Sequence, residues 1–248
     1  PAILDAGCTP PGLSATLSGD VVLADTLGGG SGILTIVDRF GTDVVTRLEV
    51  EGPTVAGQIN VAPETSDFST NPQDVEIVSA TSAWVSRFSV NLDPDATGLE
   101  LANDVVEINP TTFALTGRRV DLSMFDSLES SGMEDEDTLQ PVAFALPEST
   151  RNCGVVRPVP DSTDLVLVGC QGFGQPFGEP VQVRATSGVF VVQITGTEAV
   201  LVDQYLPSDD AQSAVAVVDA VPLDATSFVA IQNGSGGGGD AARAYLLP

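Results

Sequence analysis

The chain has 248 residues, with 34 acidic side chains against nine arginines, no lysine and no histidine, for a formal net charge of -25. That charge opposes approach to phosphate and so argues against nucleic-acid binding, while the lack of histidine and lysine removes the usual general bases and amine nucleophiles. No stretch reaches the roughly 18 consecutive apolar residues of a membrane-spanning helix, and the acidity fits either a salty environment or a cationic partner.

With 25 glycines and 17 prolines, and apolar runs that do not keep helical spacing, strands punctuated by turns are expected throughout. Residues 1 to 19 form a Pro/Gly/Ser/Thr-rich lead-in in which Leu13 to Leu17 can make one short strand. The chain opens at Pro1 with no signal-peptide pattern, so any such peptide is expected to have been removed, and Asp5 breaks the lipobox-like Leu4-Asp5-Ala6-Gly7-Cys8. A first unit, about 20 to 64, carries strands at Ile33 to Phe40, Thr42 to Leu48 and Val55 to Val61. A second, about 71 to 122, has Asp74 to Ser79 and Ala83 to Phe88 around a Ser/Ala/Thr/Ser turn, then Asn103 to Pro110 and Ala114 to Leu122. Asn91 to Ala102 is inserted in this unit, and Ser123 to Leu139 follows it.

A third unit, about 139 to 207, begins with Pro141 to Leu146 as an extra or displaced strand. It continues with Gly154 to Val156 and Leu165 to Val168 around a turn at Asp161-Ser162, then Gly188 to Ile194 and Ala199 to Leu206. The fourth, about 211 to 248, offers Ala214 to Val218, a turn near Asp224 to Ser227, Phe228 to Ile231 and Ala242 to Leu247, and stops one strand short. Arg39-Phe40 and Asp43-Val44-Val45 of the first unit align with Arg87-Phe88 and Asp104-Val105-Val106 of the second. Four strands per copy at a period of tens of residues is the pattern of an all-β propeller built from four-stranded antiparallel blades. The missing strand implies either that Leu13 to Leu17 closes a small ring or that the chain is a fragment of a larger propeller.

Ala83-Trp84-Val85-Ser86, followed by Asp104-Val105-Val106-Glu107-Ile108-Asn109-Pro110-Thr111-Thr112, resembles the repeat motif of the YVTN-type β-propellers. The resemblance extends over nearly the whole chain after Asp20. It implies a secreted or cell-surface protein of bacterial or archaeal type, the periplasm included.

Cys153 and Cys170 lie at equal distances from the Asp161-Ser162 turn, so an antiparallel hairpin closed there sets them opposite each other, near enough for a disulfide. Such a bond implies an oxidising compartment, and Cys8 is left over. The insertion holds Asp93-Pro94-Asp95-Ala96-Thr97-Gly98, which matches the first half of a calcium loop, with Asp104 at the twelfth position. Asp93, Asp95, Thr97 and Asp104 are therefore the candidate calcium ligands. Against them stand Pro94, the lack of flanking helices and the match of Asp104 to Asp43. Glu134 to Asp137 is a second oxygen-rich run, and the glycine runs at 28 to 32 and 234 to 239 read as hairpin turns, since neither has a GK[ST] ending or opens a helix. Trp84 and Phe88 share one strand face and read as core. The expected function is a non-catalytic scaffold that binds a protein or surface polymer through blade loops, or by β-augmentation at the last blade. The competing expectation is a calcium-dependent propeller hydrolase or lactonase using carboxylates at a central channel.

Overall fold

A computed structural model describes residues 20–23, 32–39, 41–51, 54–62, 68–91, 93, 95–121, 153–162, 164–170, 188–195, 198–205, 217–232 and 243–247. These residues fold as strands joined by turns, with a 3-10 turn at Gly98–Leu101 the only helical element among them. The strands form four antiparallel sheets, each following chain order. The first contains β1 (Val21–Leu23), β2 (Ile33–Asp38), β3 (Val44–Glu49) and β4 (Thr54–Asn60). The second contains β5 (Pro72–Ser79), β6 (Ser82–Val90), β7 (Ala102–Asn109) and β8 (Ala114–Asp121). The third contains β9 (Cys153–Pro158), β10 (Leu165–Cys170), β11 (Gly188–Thr195) and β12 (Glu198–Tyr205). The fourth comprises β13 (Val217–Pro222), β14 (Phe228–Gln232) and β15 (Arg243–Leu247).

Near-continuous apolar runs suit sheets that bury both faces, because alternate residues then need apolar surroundings on opposite sides. Ala83, Val85, Val106 and Ile108 of the second sheet face Val37, Val45 and Ile59 of the first. Their neighbours Trp84, Val105 and Val120 turn the other way, onto Val156, Val166, Val168 and Phe190 of the third sheet. The third repeats the device: Leu167 and Val189 leave that cluster and meet Ala220, Phe228 and Ala230 of the fourth. An apolar seam thus joins each sheet to its successor, each fully buried Val, Leu or Phe contributing about 1.5–3 kcal/mol. The first strands β5, β9 and β13 are successive neighbours, and β12 also touches β8.

The sheets share irregularities of pairing. A register shift precedes Asp74 in β5 and Asp219 in β13, and in both the carboxylate folds back on the next amide, Val75 N at 2.9 Å and Ala220 N at 2.8 Å. The pairing of third and fourth strands is interrupted in each of the first three sheets. Strand bounds depart from the sequence reading: the opening strand of the fourth sheet runs on past Val218 to Pro222, with Ala214 to Ala216 outside the described residues, β5 begins at Pro72, and the first sheet includes the short strand Val21–Leu23. Leu13 to Leu17, Pro141 to Leu146, Glu134 to Asp137 and Cys8 lie outside the described residues.

The disulfide joins Cys153 and Cys170, with an S–S distance of 2.09 Å. Its geometry differs from the simple symmetry argument. Val168 opposes Val156 and Gly169 opposes Val155, which centres the hairpin on Ser162 rather than between Asp161 and Ser162. In that register Cys170 would face Gly154, but the pairing shifts between Gly169 and Cys170 and sets Cys170 against Cys153. The turn itself is made by Asp161 at φ +61°, with Ser162 N donating to Val159 O.

Candidate functional site

Charge inside the sheets is spent on matching itself. Arg87 of β6 and Asp104 of β7 are both fully buried and joined by two hydrogen bonds of 2.7 Å, the planar fork that guanidinium and carboxylate share. Arg119 of β8 adds Nε to Asp104 Oδ2 at 2.7 Å and reaches Asp121 at 2.9 Å, while Arg87 also donates to Val61 O beyond the first sheet. The aligned residues Arg39 and Asp43 of the first sheet take other partners. Arg39 binds Asp20 and Gln73 Oε1, whereas Asp43 Oδ1 accepts from Ser69 Oγ, Thr70 Oγ1 and Asn71 N. Arg157 of β9 bridges Asp74 of β5 and Asp219 of β13, tying three successive sheets together. Glu107 accepts from Ser82, Thr116 and Arg118, and the Arg118 guanidinium lies 5.4 Å from the Trp84 ring centroid.

These placements decide where the candidate calcium ligands go. Asp104 sits in the arginine network with both carboxylate oxygens engaged, whereas Asp93 Oδ1 accepts from Asp95 N at 3.0 Å as in an Asx turn. Asp93 and Asp95 are exposed, as is Thr97. The sequence reading joined Asp104 to this loop through its twelve-residue spacing; the fold separates them, and among the described residues no three acidic or cysteine side chains converge to hold a metal ion. Trp84 is buried in the seam between the second and third sheets, and Phe88 is half-buried.

A cleft of about 200 Å³ opens between the outer strand of the third sheet and the β13–β14 turn. Val159, Leu167, Val191 and Phe228 supply its apolar lining, and Asp203, Tyr205 and Asp224 its polar groups. A bulge builds it. Ala199 and Leu201 pair with Ile194 and Val192 and pack toward the second sheet. Strict alternation would send Asp203 and Tyr205 the same way, but Val202 is the extra residue in the pairing. Asp203 then pairs with Val191 and Tyr205 with Val189, and both turn to the opposite face, onto the cleft. The Tyr205 ring meets Phe228 edge-on at 4.8 Å, and its hydroxyl donates to Asp203 Oδ2 at 3.1 Å.

Burial, and then the neighbouring Asp203 carboxylate, push the Tyr205 phenol above its ordinary value, so that it remains a proton donor to Asp203. Across the cleft the Ser227 hydroxyl, followed by the Thr226 amide and hydroxyl, holds the Asp224 carboxyl down to about 2. The Asp203 and Asp224 carboxyl groups thus border a largely apolar pocket, and no arginine stands among its described lining residues. Sequence reasoning named Asp224 to Ser227 as a turn and Ala199 to Leu206 as a strand, but not this site. An inserted residue in a strand of continuous apolar character leaves no mark on the pattern that could have revealed which way Asp203 points.

Compared with known proteins, the chain matches no family model and no curated sequence.

Proposed function

We propose that the four sheets are blades of a YVTN-like β-propeller and that the chain is a non-catalytic scaffold, secreted or displayed at a cell surface, binding a protein or surface polymer through its inter-strand loops or outer strands. The observation that carries the reading is the stacking: successive antiparallel sheets packed through apolar seams, with their first strands side by side. Radial stacking of such sheets is what a propeller is. The disulfide fits an oxidising compartment, and among the described residues no helix is long and apolar enough to cross a membrane. The buried carboxylates Asp43, Asp74, Asp104 and Glu107 accept hydrogen bonds from hydroxyls, amides or arginines, which suits rigidity more than proton transfer.

Electron microscopy of the purified chain should give ring-shaped averages with a central channel. Nitrophenyl esters and aliphatic lactones should pass unhydrolysed with calcium or with EDTA. An elongated two-layer particle would overturn the propeller, and calcium-dependent turnover would overturn the scaffold reading in favour of a hydrolase.

A further inference from the structure

We propose that the Arg47 guanidinium and the Thr35 hydroxyl bind a small inorganic anion, of the size of chloride, inside the seam between the first and second sheets. Thr35 of β2 and Arg47 of β3 stand directly opposite each other in register, which sets their side chains next to one another on one face of the sheet. Val37 and Val45, two residues along the same strands, pack against the second sheet, so by alternation Thr35 and Arg47 face it too. There Arg47 Nη1 donates to Pro110 O in the β7–β8 turn at 2.6 Å. Two polar atoms beside that contact are left over. Arg47 Nε and Thr35 Oγ1 are both buried without a hydrogen-bond partner, and Thr35 as a whole is 1% exposed.

A water molecule could meet the hydrogen-bonding needs of these atoms, but not the charge. Among the described arginine side chains, Arg39, Arg87, Arg118, Arg119 and Arg157 each pair with a carboxylate. Arg47 has the Pro110 carbonyl instead, and no ion pair joins it to a carboxylate among the described residues. Loss of water lowers its pKa from the ordinary arginine value, with no neighbouring charge working the other way. A cation taken out of water calls for a counter-charge, and a guanidinium N–H with a hydroxyl beside it is a pair of donors from which an anion accepts. The occupant is small because the seam is filled around it: Gly57, the partner of Arg47 on β4, lies against the Phe113 ring so closely that a Cβ would overlap it. This favours a single ion over a carboxylate carried on a partner's backbone, and Arg47, only half-buried, leaves such an ion a way in. The charge of -25 repels anions from a distance, so the site is expected to fill in salt, where that repulsion is screened.

The test holds the full chain at high ionic strength with sodium gluconate, whose anion is too bulky for the site, and titrates it with chloride, whose NMR line broadens when the ion binds a large molecule. The parent should broaden the line saturably. Arg47→Gln should weaken binding about tenfold or more and Thr35→Val about fivefold, the worth of a charge-assisted and of an ordinary hydrogen bond, while Thr35→Ser, which keeps the hydroxyl, should bind as the parent does. Exchanging gluconate for chloride at constant ionic strength should raise the melting temperature of the parent more than that of Arg47→Gln, a difference that general screening of the acids does not produce. Lack of saturable broadening by the parent, or broadening retained in full by either Arg47→Gln or Thr35→Val, would overturn the proposal and leave water to satisfy the two atoms. Thr35→Val only exchanges a hydroxyl for a methyl, and so carries the test if Arg47→Gln does not fold. The scaffold reading stands apart from every one of these outcomes.

Discussion

Asp43 and Asp104 occupy corresponding positions in the first two sheets, and the difference between them has consequences that can be measured. Asp104 is matched by two guanidiniums. Asp43, also buried, is met at Oδ1 by two hydroxyls and one amide, at 3.0 to 3.1 Å and 2.8 Å. Loss of water raises its pKa, and the hydrogen bonds from Asn71, Thr70 and Ser69 offset only part of that. A carboxyl whose folded pKa lies above its unfolded value destabilises the fold when ionised, and this cost disappears as pH falls through the folded pKa. Asn in its place keeps the Oδ1 acceptor, carries no charge and tolerates the φ of +54° found there. Asp43→Asn should therefore melt at or above the parent's temperature at neutral pH, with the difference closing on acidification. Asp43→Ala leaves the buried Thr70 hydroxyl and the Asn71 amide unmet and should cost about 1–3 kcal/mol. Thermal melts of both variants at neutral and acid pH check this; an Asn variant as weak as the Ala variant at neutral pH would show that the charge itself is stabilising.

Packing between elements adds constraints that strand patterns do not carry. Gly57 of β4 lies against the Phe113 ring, which reaches across from the β7–β8 turn of the next sheet, and a Cβ there would overlap that ring. Phe113 is itself at φ +55°, a conformation with little freedom to rearrange for a bulky side chain. Gly57→Ala should cost about 1–3 kcal/mol by overpacking, read from the denaturant midpoint, and Gly57→Ala with Phe113→Ala should regain part of it. The hairpin of β9 and β10 makes a second case. Cys153 and Cys170 enclose a loop with a sequence separation of 17 and are buried in the seam with Trp84 and Val156. Replacing both by Ala should lower stability by about 3 kcal/mol on the chain-entropy account; an unchanged midpoint would mean the cross-link does not limit the unfolded chain. The pair was legible because facing residues in a hairpin are spaced by symmetry. Its bulge was not, and it cancels the half-residue offset of the turn. The same blind spot hid the cleft, since alternation tells which residues are apolar and not where one residue has been inserted. Apolar alternation did reveal the strands of the antiparallel sheets. It did not reveal that Arg39 would leave Asp43 for Asp20 and Gln73.

For the molecule as a whole, the distribution of charge matters more than its sum. Arg39, Arg87, Arg118, Arg119 and Arg157, five of the nine cations, are each paired with a carboxylate, several of them buried or bridging sheets. Cations used in this way leave few to offset the remaining acids, and 34 acids less nine arginines leave 25 negative charges. Repulsion among charges in high dielectric is weak per pair but adds over a compact surface, and unfolding relieves it by moving the charges apart. Added salt should stabilise the fold, because the screening length falls from roughly 30 Å at 0.01 M to about 3 Å at 1 M. The internal pairs should not cancel that gain. Arg87 and Asp104 are out of contact with solvent, and mobile ions screen buried pairs far less than surface charges. The melting temperature should therefore climb as NaCl is raised, most steeply at the low end, where the screening length still spans several neighbouring side chains. Substituting exposed acids such as Asp95 and Glu51 by neutral residues should raise the low-salt melting temperature and flatten the climb. A melting temperature that stays level or falls over the same range would mean that the surface acids are already neutralised by bound cations or by a basic partner that copurifies with the chain.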